Sequence, residues 1–219
     1  MTNKTLTLTE SLHDYVVANG SEPDELVRDL IAETTRVLPE HAIMQIAPEQ
    51  AAFMTLLTRI LGARRAVEIG TFTGLSSIAI ARGLADGGRL TCFDVSDEFT
   101  SIARRYWARA GLTDRIELRL GPAAEALGAL PLEPHLDLAF IDADKTGYLG
   151  YWEHLVPRMR PGGLILVDNV LRHGQIVDPS PSDVSTVAMV EFNQRVLEDP
   201  RVESVLLPIA DGLTIARRL

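Results

Sequence analysis

Apolar and polar positions follow two different patterns along this chain. In roughly the first sixty residues, apolar side chains recur every three or four positions, which is typical of amphipathic helices. Pro23 suits a first helical turn, and the stripe that follows it is Val27, Leu30, Ile31, Thr34, Val37 and Leu38. Pro48 opens a second helix, with an apolar face of Phe53, Leu56, Leu57, Ile60 and Leu61. The pattern therefore predicts a helical first part of the chain.

From residue 65 onward, short β-rich runs alternate with helical segments. The runs are RAVEIG, RLTCFDV, RIELRL, LDLAFID and GLILVDN, and the helical segments are 74–84, 97–110, 122–130 and 146–159. This alternation predicts βαβ units and a parallel sheet. Because the runs are apolar on both faces, we expect helices on both sides of the sheet.

The last part of the chain predicts one more helix and a hairpin. Residues 184–198 form the helix, with Val187, Val190 and Leu197 on one face. The runs RVESVLLPI and GLTIARRL follow, and Asp211-Gly212 between them has the chemistry of a turn. We therefore expect an antiparallel hairpin at the edge of the sheet.

The segment HAIMQIA, residues 41–47, is unusually apolar for a connection between two helices. It could pack on the core, or it could form a flap over a ligand. The sequence alone leaves both interpretations open.

Composition and charge narrow the class of protein. The chain has 219 residues, of which 46 % are hydrophobic, enough for one α/β domain with a sizeable core. No apolar run approaches the roughly 18 residues of a membrane span, and the polar amino terminus does not resemble a secretory signal, so we expect a cytoplasmic protein with no membrane partner. The single cysteine, Cys92, is predicted to be a buried, inert thiol. The formal net charge of −9 and the lack of a basic stripe argue against nucleic acid as partner or methylation substrate.

Acidic residues stand where the predicted strands end. Glu68, Asp94, the pair Asp142 and Asp144, and Asp168 with Asn169 follow four different strands. Ligands of open α/β sheets bind outside the carboxyl ends of the strands. Any one of these residues could be a helix cap or a turn former. Together they predict a rim of acidic oxygen atoms. Crowding these atoms together costs free energy unless cations or hydroxyl donors neutralise them.

The first strand is followed by a glycine-rich turn in EIGTFTGLSS. Gly70 and Gly74 allow a tight turn and a close backbone approach to a ligand, but their spacing is not the GxGxxG of dinucleotide sites. Glu68 can attract a cationic ligand end, and Asp94 can accept hydrogen bonds from a ribose. A nucleoside with a cationic tail fits these features, and S-adenosylmethionine is one.

Residues 44–219 resemble the metal-dependent O-methyltransferases of the catechol and caffeoyl-coenzyme A type. The matching pieces are Met44-Gln45-Ile46, EIGTFTGLSS, FIDADKTGY, GGLILVDNVLRHG and PIADGLTIARR. The resemblance implies a Rossmann-like class I methyltransferase fold, with a seven-stranded, mostly parallel sheet, an antiparallel edge hairpin and extra amino-terminal helices. We expect a single domain, 1–219, in which 1–62 form a helical cap that shapes the acceptor pocket and 63–219 form the catalytic core. The family is commonly dimeric, so a homodimer is expected.

The resemblance also implies roles for individual residues. The positions matching the family's cofactor contacts are Ile46, Glu68, Gly70, Thr71, Ser76, Asp94, Ala123 and Asp144. Asp142, Asp168 and Asn169 match the metal ligands, and Lys145 matches the general base. The substrate would contact Asp142, Lys145, Asn169 and His173.

The chemistry of these residue types agrees with the implied roles. Carboxylate and amide oxygens are hard ligands that suit Mg²⁺, Mn²⁺ or Ca²⁺. Three protein ligands leave room for two vicinal hydroxyls and a water, as in a bound catechol. Lys145 and Lys4 are the only lysines among 21 basic residues. Arginine cannot release its proton in a protein and lysine can, so the retained Lys145 is informative.

The sequence therefore predicts transfer of a methyl group from S-adenosylmethionine to a catechol-type hydroxyl of a small aromatic compound, with a natural-product intermediate as one possibility. A caffeoyl-coenzyme A type acceptor is the alternative within the family. An NAD-dependent oxidoreductase would use Asp94 equally well, but it leaves the IDADK and DN elements unexplained. A binding protein on a disused methyltransferase fold is a further alternative, disfavoured because every expected ligand and the candidate base are present.

Overall fold

The computed structural model describes residues 6–178, 180 and 182–219, so Lys4 lies outside the described residues. The helices are α1 (Glu10–Ala18), α2 (Glu25–Val37), α3 (Pro48–Leu61), α4 (Leu75–Gly83), α5 (Asp97–Arg109), α6 (Ala123–Gly128), α7 (Tyr148–Leu155) and α8 (Val184–Leu197). The strands are β1 (Arg65–Ile69), β2 (Arg89–Asp94), β3 (Ile116–Leu120), β4 (Leu136–Ile141), β5 (Met159–Val167), β6 (Val202–Leu207) and β7 (Leu213–Arg218). None of the helices in this part of the chain has the length and apolar content needed to cross a membrane.

The seven strands form one sheet in the order β3-β2-β1-β4-β5-β7-β6. Strands β1 to β5 pair in parallel, and β7 runs antiparallel to both β5 and β6. The predicted α/β fold with an antiparallel hairpin at its edge is confirmed. The order reverses between β1 and β4, which is where open parallel sheets open a crevice for ligands.

Helices cover both faces of the sheet, as the doubly apolar strands predict. The central strand β4 is buried along its whole length. Leu138 and Phe140 pack into the core beneath α2, α3, α4 and α5. Their neighbours Ala139 and Ile141 point to the opposite core, beneath α6, α7 and α8. Successive side chains of a strand alternate between its faces, so this one strand joins both cores.

Two predicted helix limits are wrong. Helix α2 begins at Glu25, because Asp24 caps it by accepting a hydrogen bond from Val27 N at 2.9 Å, and Pro23 lies outside the helix. The predicted helix 146–159 is divided into a 3₁₀ turn at 145–147, α7 and a second 3₁₀ turn at 156–158. Pro157 lies in that last turn, and it lacks the N–H that an α-helix would need there.

The buried face of α3 agrees with the prediction only in part: Phe53, Leu57 and Leu61 are partly buried and pack against the core. Leu56 and Ile60 are 58 % and 74 % exposed, and the fully buried side chains include Met54 and Thr58. Helix α4 approaches so closely that a Cβ atom on Gly83 would lie 2.6 Å from Thr58 Cβ. Small and medium side chains are needed at such a contact, and Leu56 and Ile60 turn outward.

The buried face of α8 also differs from the prediction. Val187, Val190 and Leu197 are partly or largely exposed, and the buried side chains are Thr186, Met189, Phe192 and Val196. The ring of Phe192 packs edge-on against Tyr148 and Trp152, at centroid distances of 5.6 and 5.7 Å. These large aromatic surfaces determine the orientation of the helix.

Candidate functional site

The acidic strand ends gather around one cavity of about 1370 Å³ at the carboxyl edge of the sheet. Of the predicted site residues, the following line it: Ile46, Gly70, Thr71, Ser76, Asp94, Ala123, Asp142, Asp144, Lys145, Asp168, Asn169 and His173. Glu68 does not line the cavity, because its side chain is fully buried behind the wall. The structure thus places the predicted cofactor, metal and acceptor residues in or directly behind one space.

Asp94 organises the part of the cavity formed by the glycine-rich turn. One carboxylate oxygen accepts hydrogen bonds from Thr71 N at 2.8 Å and Phe72 N at 2.9 Å, and the other accepts from Ser96 N at 2.8 Å. These contacts fix the carboxylate and the turn relative to each other. The oxygen that accepts only from Ser96 N keeps accepting capacity, so Asp94 can still bind ligand hydroxyls.

Gly70 allows the turn to pass close to the neighbouring strand end. It has a φ of +87°, and a Cβ atom at this position would lie 1.9 Å from the carbonyl oxygen of Asp142. Any other residue would force apart the ends of β1 and β4. The glycine therefore brings the turn and Asp142 together at the centre of the cavity.

Glu68 is an isolated carboxylate beneath the turn. It is fully buried, and neither carboxylate oxygen has a well-formed hydrogen bond within the described part of the chain. Burial raises the pKa of Glu68 to about 7, although nearby Ser76, Cys92 and Thr71 limit the rise. Burial also raises the pKa of the Cys92 thiol well above its ordinary value. The prediction that Cys92 is buried is confirmed, and the raised pKa agrees with an inert thiol.

Lys145 lies at the centre of the acidic cluster. Its ammonium donates to Asp142 Oδ1 at 3.1 Å, to Asn169 Oδ1 at 2.6 Å and to Tyr148 Oη at 2.6 Å. The side chain is only 12 % exposed. The Tyr148 hydroxyl in turn donates to the backbone carbonyl of Asp168 at 3.3 Å. These contacts hold the amino group at a defined point in the cavity.

Asp142 and Asp168 carry charge that burial disfavours. Burial raises the pKa of Asp142, and Lys145 opposes this rise. Burial, together with the nearby charge of Asp142, raises the pKa of Asp168 to about 7. Two neighbouring carboxylates in a partly desolvated site are stabilised by a nearby cation.

The donor set of Asp142, Asp168 and Asn169 fits a hard divalent cation. It offers two carboxylates and an amide oxygen, and the ammonium of Lys145 already contacts two of these three groups. Within residues 6–178, 180 and 182–219, no cluster of three His, Cys, Asp or Glu side chains is placed to hold a metal. Softer metals such as zinc, which prefer nitrogen and sulfur ligands, fit less well.

The backbone after β5 is strained where it borders the cavity. Asn169, Arg172 and His173 have φ values of +57°, +48° and +52°. Asp211 holds this loop, because its backbone carbonyl accepts from Leu171 N at 2.9 Å and its carboxylate accepts from His173 N at 2.5 Å. Left-handed conformations of such residues are retained where the surroundings fix them, often at functional sites.

The side chain of His173 is 68 % exposed, whereas that of its neighbour Arg172 is only 21 % exposed. Both residues line the cavity. Arg172 pairs with Asp183 at 3.4 Å. The predicted substrate contact therefore lies at the rim of the cavity.

Three residues of the site are absent from the sequence prediction. Gln50 donates to Asp168 Oδ2 at 2.7 Å, Tyr148 contacts Lys145, and Tyr151 donates to Asp144 Oδ1 at 2.5 Å. A signal for the tyrosines exists, since Tyr148 follows Lys145 at the spacing of one helical turn and Tyr151 follows Asp144 at the spacing of two turns. Gln50 has none, because 118 positions separate it from its partner.

The segment 41–47 forms a wall of the cavity, to which Ile43, Met44, Gln45, Ile46 and Ala47 all contribute. Gln45 Nε2 fastens the segment by donating to Thr34 Oγ1 at 3.1 Å and to Thr73 Oγ1 at 3.0 Å. Ile46 is buried and Ile43 is 83 % exposed. The segment is therefore anchored on the core and also lines the cavity, and its role as a flap over a ligand stays a prediction.

Comparison with known proteins relates this chain to one protein family. The sequence model of the O-methyltransferase family matches residues 18–219. A protein of Dictyostelium discoideum named probable caffeoyl-CoA O-methyltransferase 2 is 39 % identical over 213 residues, covering 95 % of this chain and 92 % of its own.

Two solved structures are also similar. The O-methyltransferase from Bacillus cereus in complex with SAH has a TM-score of 0.86 and 33 % identity, over 95 % of this chain and 97 % of its own. TomG from Streptomyces achromogenes, an O-methyltransferase involved in tomaymycin synthesis and solved with SAM, has a TM-score of 0.85 and 29 % identity, over 95 % and 96 %.

Proposed function

Because this chain belongs to the O-methyltransferase family, we propose that it moves a methyl group from S-adenosylmethionine to a catechol-type hydroxyl of a small aromatic compound, with a divalent metal and Lys145 as base. One observation carries the proposal. Asp142, Lys145, Asp168 and Asn169 converge in the cavity that also contains Asp94 and the glycine-rich turn.

The choice of methyl donor rests on the turn and on the relatives. The similar structures from Bacillus cereus and Streptomyces achromogenes were solved with SAH and SAM. In this chain, Asp94 would accept hydrogen bonds from the ribose, and Glu68 would supply negative charge beneath the turn when it is ionised. The family excludes the NAD-dependent oxidoreductase considered from the sequence.

Asp142, Asp168 and Asn169 would hold the metal ion. A bound divalent cation would polarise the acceptor hydroxyls and ease the loss of a proton. A simple phenol has a pKa near ~10, so little phenolate exists at neutral pH without such help. Three protein ligands leave positions for two adjacent hydroxyls, and this favours a catechol over a monophenol.

Lys145 would accept the proton of the hydroxyl that is methylated, acting as the neutral amine that a neighbouring dication would favour. Its amino group is held by Asp142, Asn169 and Tyr148, so it is positioned before the acceptor arrives. The acceptor oxygen then attacks the methyl carbon as the sulfur leaves, and the neutral thioether S-adenosylhomocysteine is the second product. The shared cavity aligns both reactants, and such alignment can supply a large part of a rate enhancement.

A caffeoyl-coenzyme A type acceptor remains the second candidate, because relatives carry that name. Phosphates of a coenzyme A tail are normally bound by arginine or lysine. Among the described residues, the lysine and arginine side chains that line the cavity are Lys145, which contacts Asp142 and Asn169, and Arg172, which pairs with Asp183. This charge distribution supports a small acceptor. We also expect a homodimer, which stays a prediction.

The deciding experiment is methyl transfer from labelled S-adenosylmethionine to catechols and to matched monophenols, with Mg²⁺ or with excess EDTA. We expect transfer that is specific for catechols and lost with the chelator, and Asp168→Ala should behave like the chelated enzyme. Transfer that survives EDTA would contradict the metal mechanism. Transfer to a coenzyme A thioester alone would favour the second candidate.

A further inference from the structure

Gln50 is a polar side chain in an unexpected position. It lies in the first turns of α3, outside the sheet, and it is fully buried. Its side-chain amide reaches the carboxyl end of β5 and donates to Asp168 Oδ2 at 2.7 Å. A helix of the amino-terminal cap thus contributes directly to the acidic end of the cavity.

The contact defines the orientation of the amide. A carboxylate can only accept, so the nitrogen of Gln50 must face Asp168 and the oxygen must face away. That oxygen is buried and has no hydrogen-bond partner in the described ranges of the chain. Gln50 also lines the cavity. The end that Gln50 presents to the acidic cluster is therefore its amide nitrogen, and the oxygen is enclosed beside the cavity.

Each oxygen of Asp168 has a hydrogen-bond donor. Oδ2 accepts from Gln50, and Oδ1 accepts from the backbone N–H of Asn169 at 2.7 Å. Together these donors fix the plane of the carboxylate. Hydrogen bonds that orient a metal-ligating carboxylate commonly change metal affinity by about 10- to 100-fold when they are removed.

A purely structural role explains Gln50 poorly. Helix α3 already packs on the core through Ala51 and Met54, and an apolar residue at position 50 would avoid burying an unpartnered oxygen. A buried amide with one end on a carboxylate and the other end free suits a residue that serves a site.

We propose that Gln50 is a positioning residue for the metal site, where its amide nitrogen orients the carboxylate of Asp168. This inference rests on the proposed metal-dependent function. It makes the amino-terminal helices a part of the metal site as well as a cover for the acceptor.

The test measures the binding of Mn²⁺ alone, by electron paramagnetic resonance, and the binding of S-adenosylhomocysteine, by calorimetry. Gln50→Met keeps the side-chain length and removes both polar atoms. We expect it to weaken Mn²⁺ binding at least about tenfold, with S-adenosylhomocysteine affinity changed less than about twofold. Gln50→Ala is a second variant in case the methionine packs badly.

Gln45→Leu is the matched control, because it removes another glutamine amide of the same region that contacts Thr34 and Thr73 rather than a metal ligand. It should leave Mn²⁺ affinity unchanged. Unaltered Mn²⁺ binding in both Gln50 variants would overturn the inference, as would a parallel loss of Mn²⁺ and S-adenosylhomocysteine binding. Failure of the unmodified protein to bind Mn²⁺ would instead refute the metal in the proposed function, and the inference with it.

Discussion

Lys145 combines a charge with a proton that it can release, and substitution can separate these two properties. Lys145→Arg keeps the charge and the donors for Asp142 and Asn169, but arginine stays protonated. We expect both Lys145→Arg and Lys145→Ala to lower kcat by about a hundredfold or more, the usual contribution of a general base. The measurement is steady-state transfer of labelled methyl groups to a catechol.

Cofactor binding provides the control for this prediction. Lys145 contacts Asp142, Asn169 and Tyr148 and shares no hydrogen-bond partner with Asp94, so S-adenosylhomocysteine affinity should change less than about twofold in either variant. A normal rate in Lys145→Arg would show that the charge suffices and would remove Lys145 as the base.

The residue types along the sequence predict which side chains carry the chemistry better than they predict which side chains hold them in place. The arginine bias and the acidic strand ends identify Lys145 and Asp168, because both are visible in the local sequence. The hydrogen bond from Gln50 to Asp168 joins the start of α3 to the end of β5, and these two ends meet only in the folded chain. No local pattern encodes such a contact, so sequence reasoning misses it.

The turn between β1 and α4 contains the tightest contact of the site. Gly70→Ala would place a Cβ atom against the Asp142 carbonyl, in addition to the strain of a positive φ. We expect a loss of stability on the order of 3 kcal/mol or more, with weakened cofactor binding. Urea unfolding and calorimetry with S-adenosylhomocysteine would measure both effects.

Gly87 is a matched control for Gly70. Its φ is +73°, and nothing lies within 4 Å of an added Cβ atom. Gly87→Ala should therefore cost only about 1–2 kcal/mol, the price of a left-handed conformation. Equal losses in the two variants would mean that the close approach to Asp142 is not the reason for the glycine.

Helix α8 supports the site through the ring of Phe192, which contacts Tyr148 beside Lys145. Phe192→Ala should lower the free energy of unfolding by about 3–5 kcal/mol, as is usual for a buried aromatic residue. Val190→Ala on the same helix removes a side chain that is 39 % exposed and should cost less than about 1 kcal/mol. The reverse ranking in urea unfolding would contradict the observed helix orientation.

The faces of helices are harder to predict than the helices themselves. In α8, the predicted valines and the buried set that includes Met189, Phe192 and Val196 both recur at helical spacing, and only the partners across the interface decide between the two sets. In α3, the deciding factor is the close approach of Gly83 in α4. Strand order is simpler, because alternating β and α segments restrict the topology strongly.

The stability of the whole molecule should depend on pH through Glu68. Its folded pKa, about 7, exceeds the ordinary value of 4.5, so the folded state keeps this proton to higher pH than the unfolded chain. Glu68 therefore lowers stability progressively as the pH rises from about 4.5 to about 7, and the cost is complete above that range. The hydrogen bond from Arg201 lowers the pKa of Asp199 below its ordinary value. The stability that Asp199 contributes is therefore lost as the pH falls into the acidic range.

Glu68→Gln isolates this contribution, because the amide does not titrate. Relative to the unmodified, ligand-free protein, the variant should gain on the order of 2–3 kcal/mol in unfolding free energy between about pH 5 and pH 8. Comparing the two pH profiles cancels the constant cost of a buried amide. Parallel profiles would show that Glu68 does not titrate in this range.

The position of β7 has a consequence for how the protein is made. This strand lies between β5 and β6, yet it follows both along the chain. While the ribosome is still adding β7, β5 is an unprotected edge open to foreign strands and β6 has no neighbour. The loop after β5 also lacks its hydrogen bond to Asp211 at this stage, because Asp211 leaves the ribosome just before β7. A nascent chain stalled before that point would expose an aggregation-prone edge and an unfinished cavity.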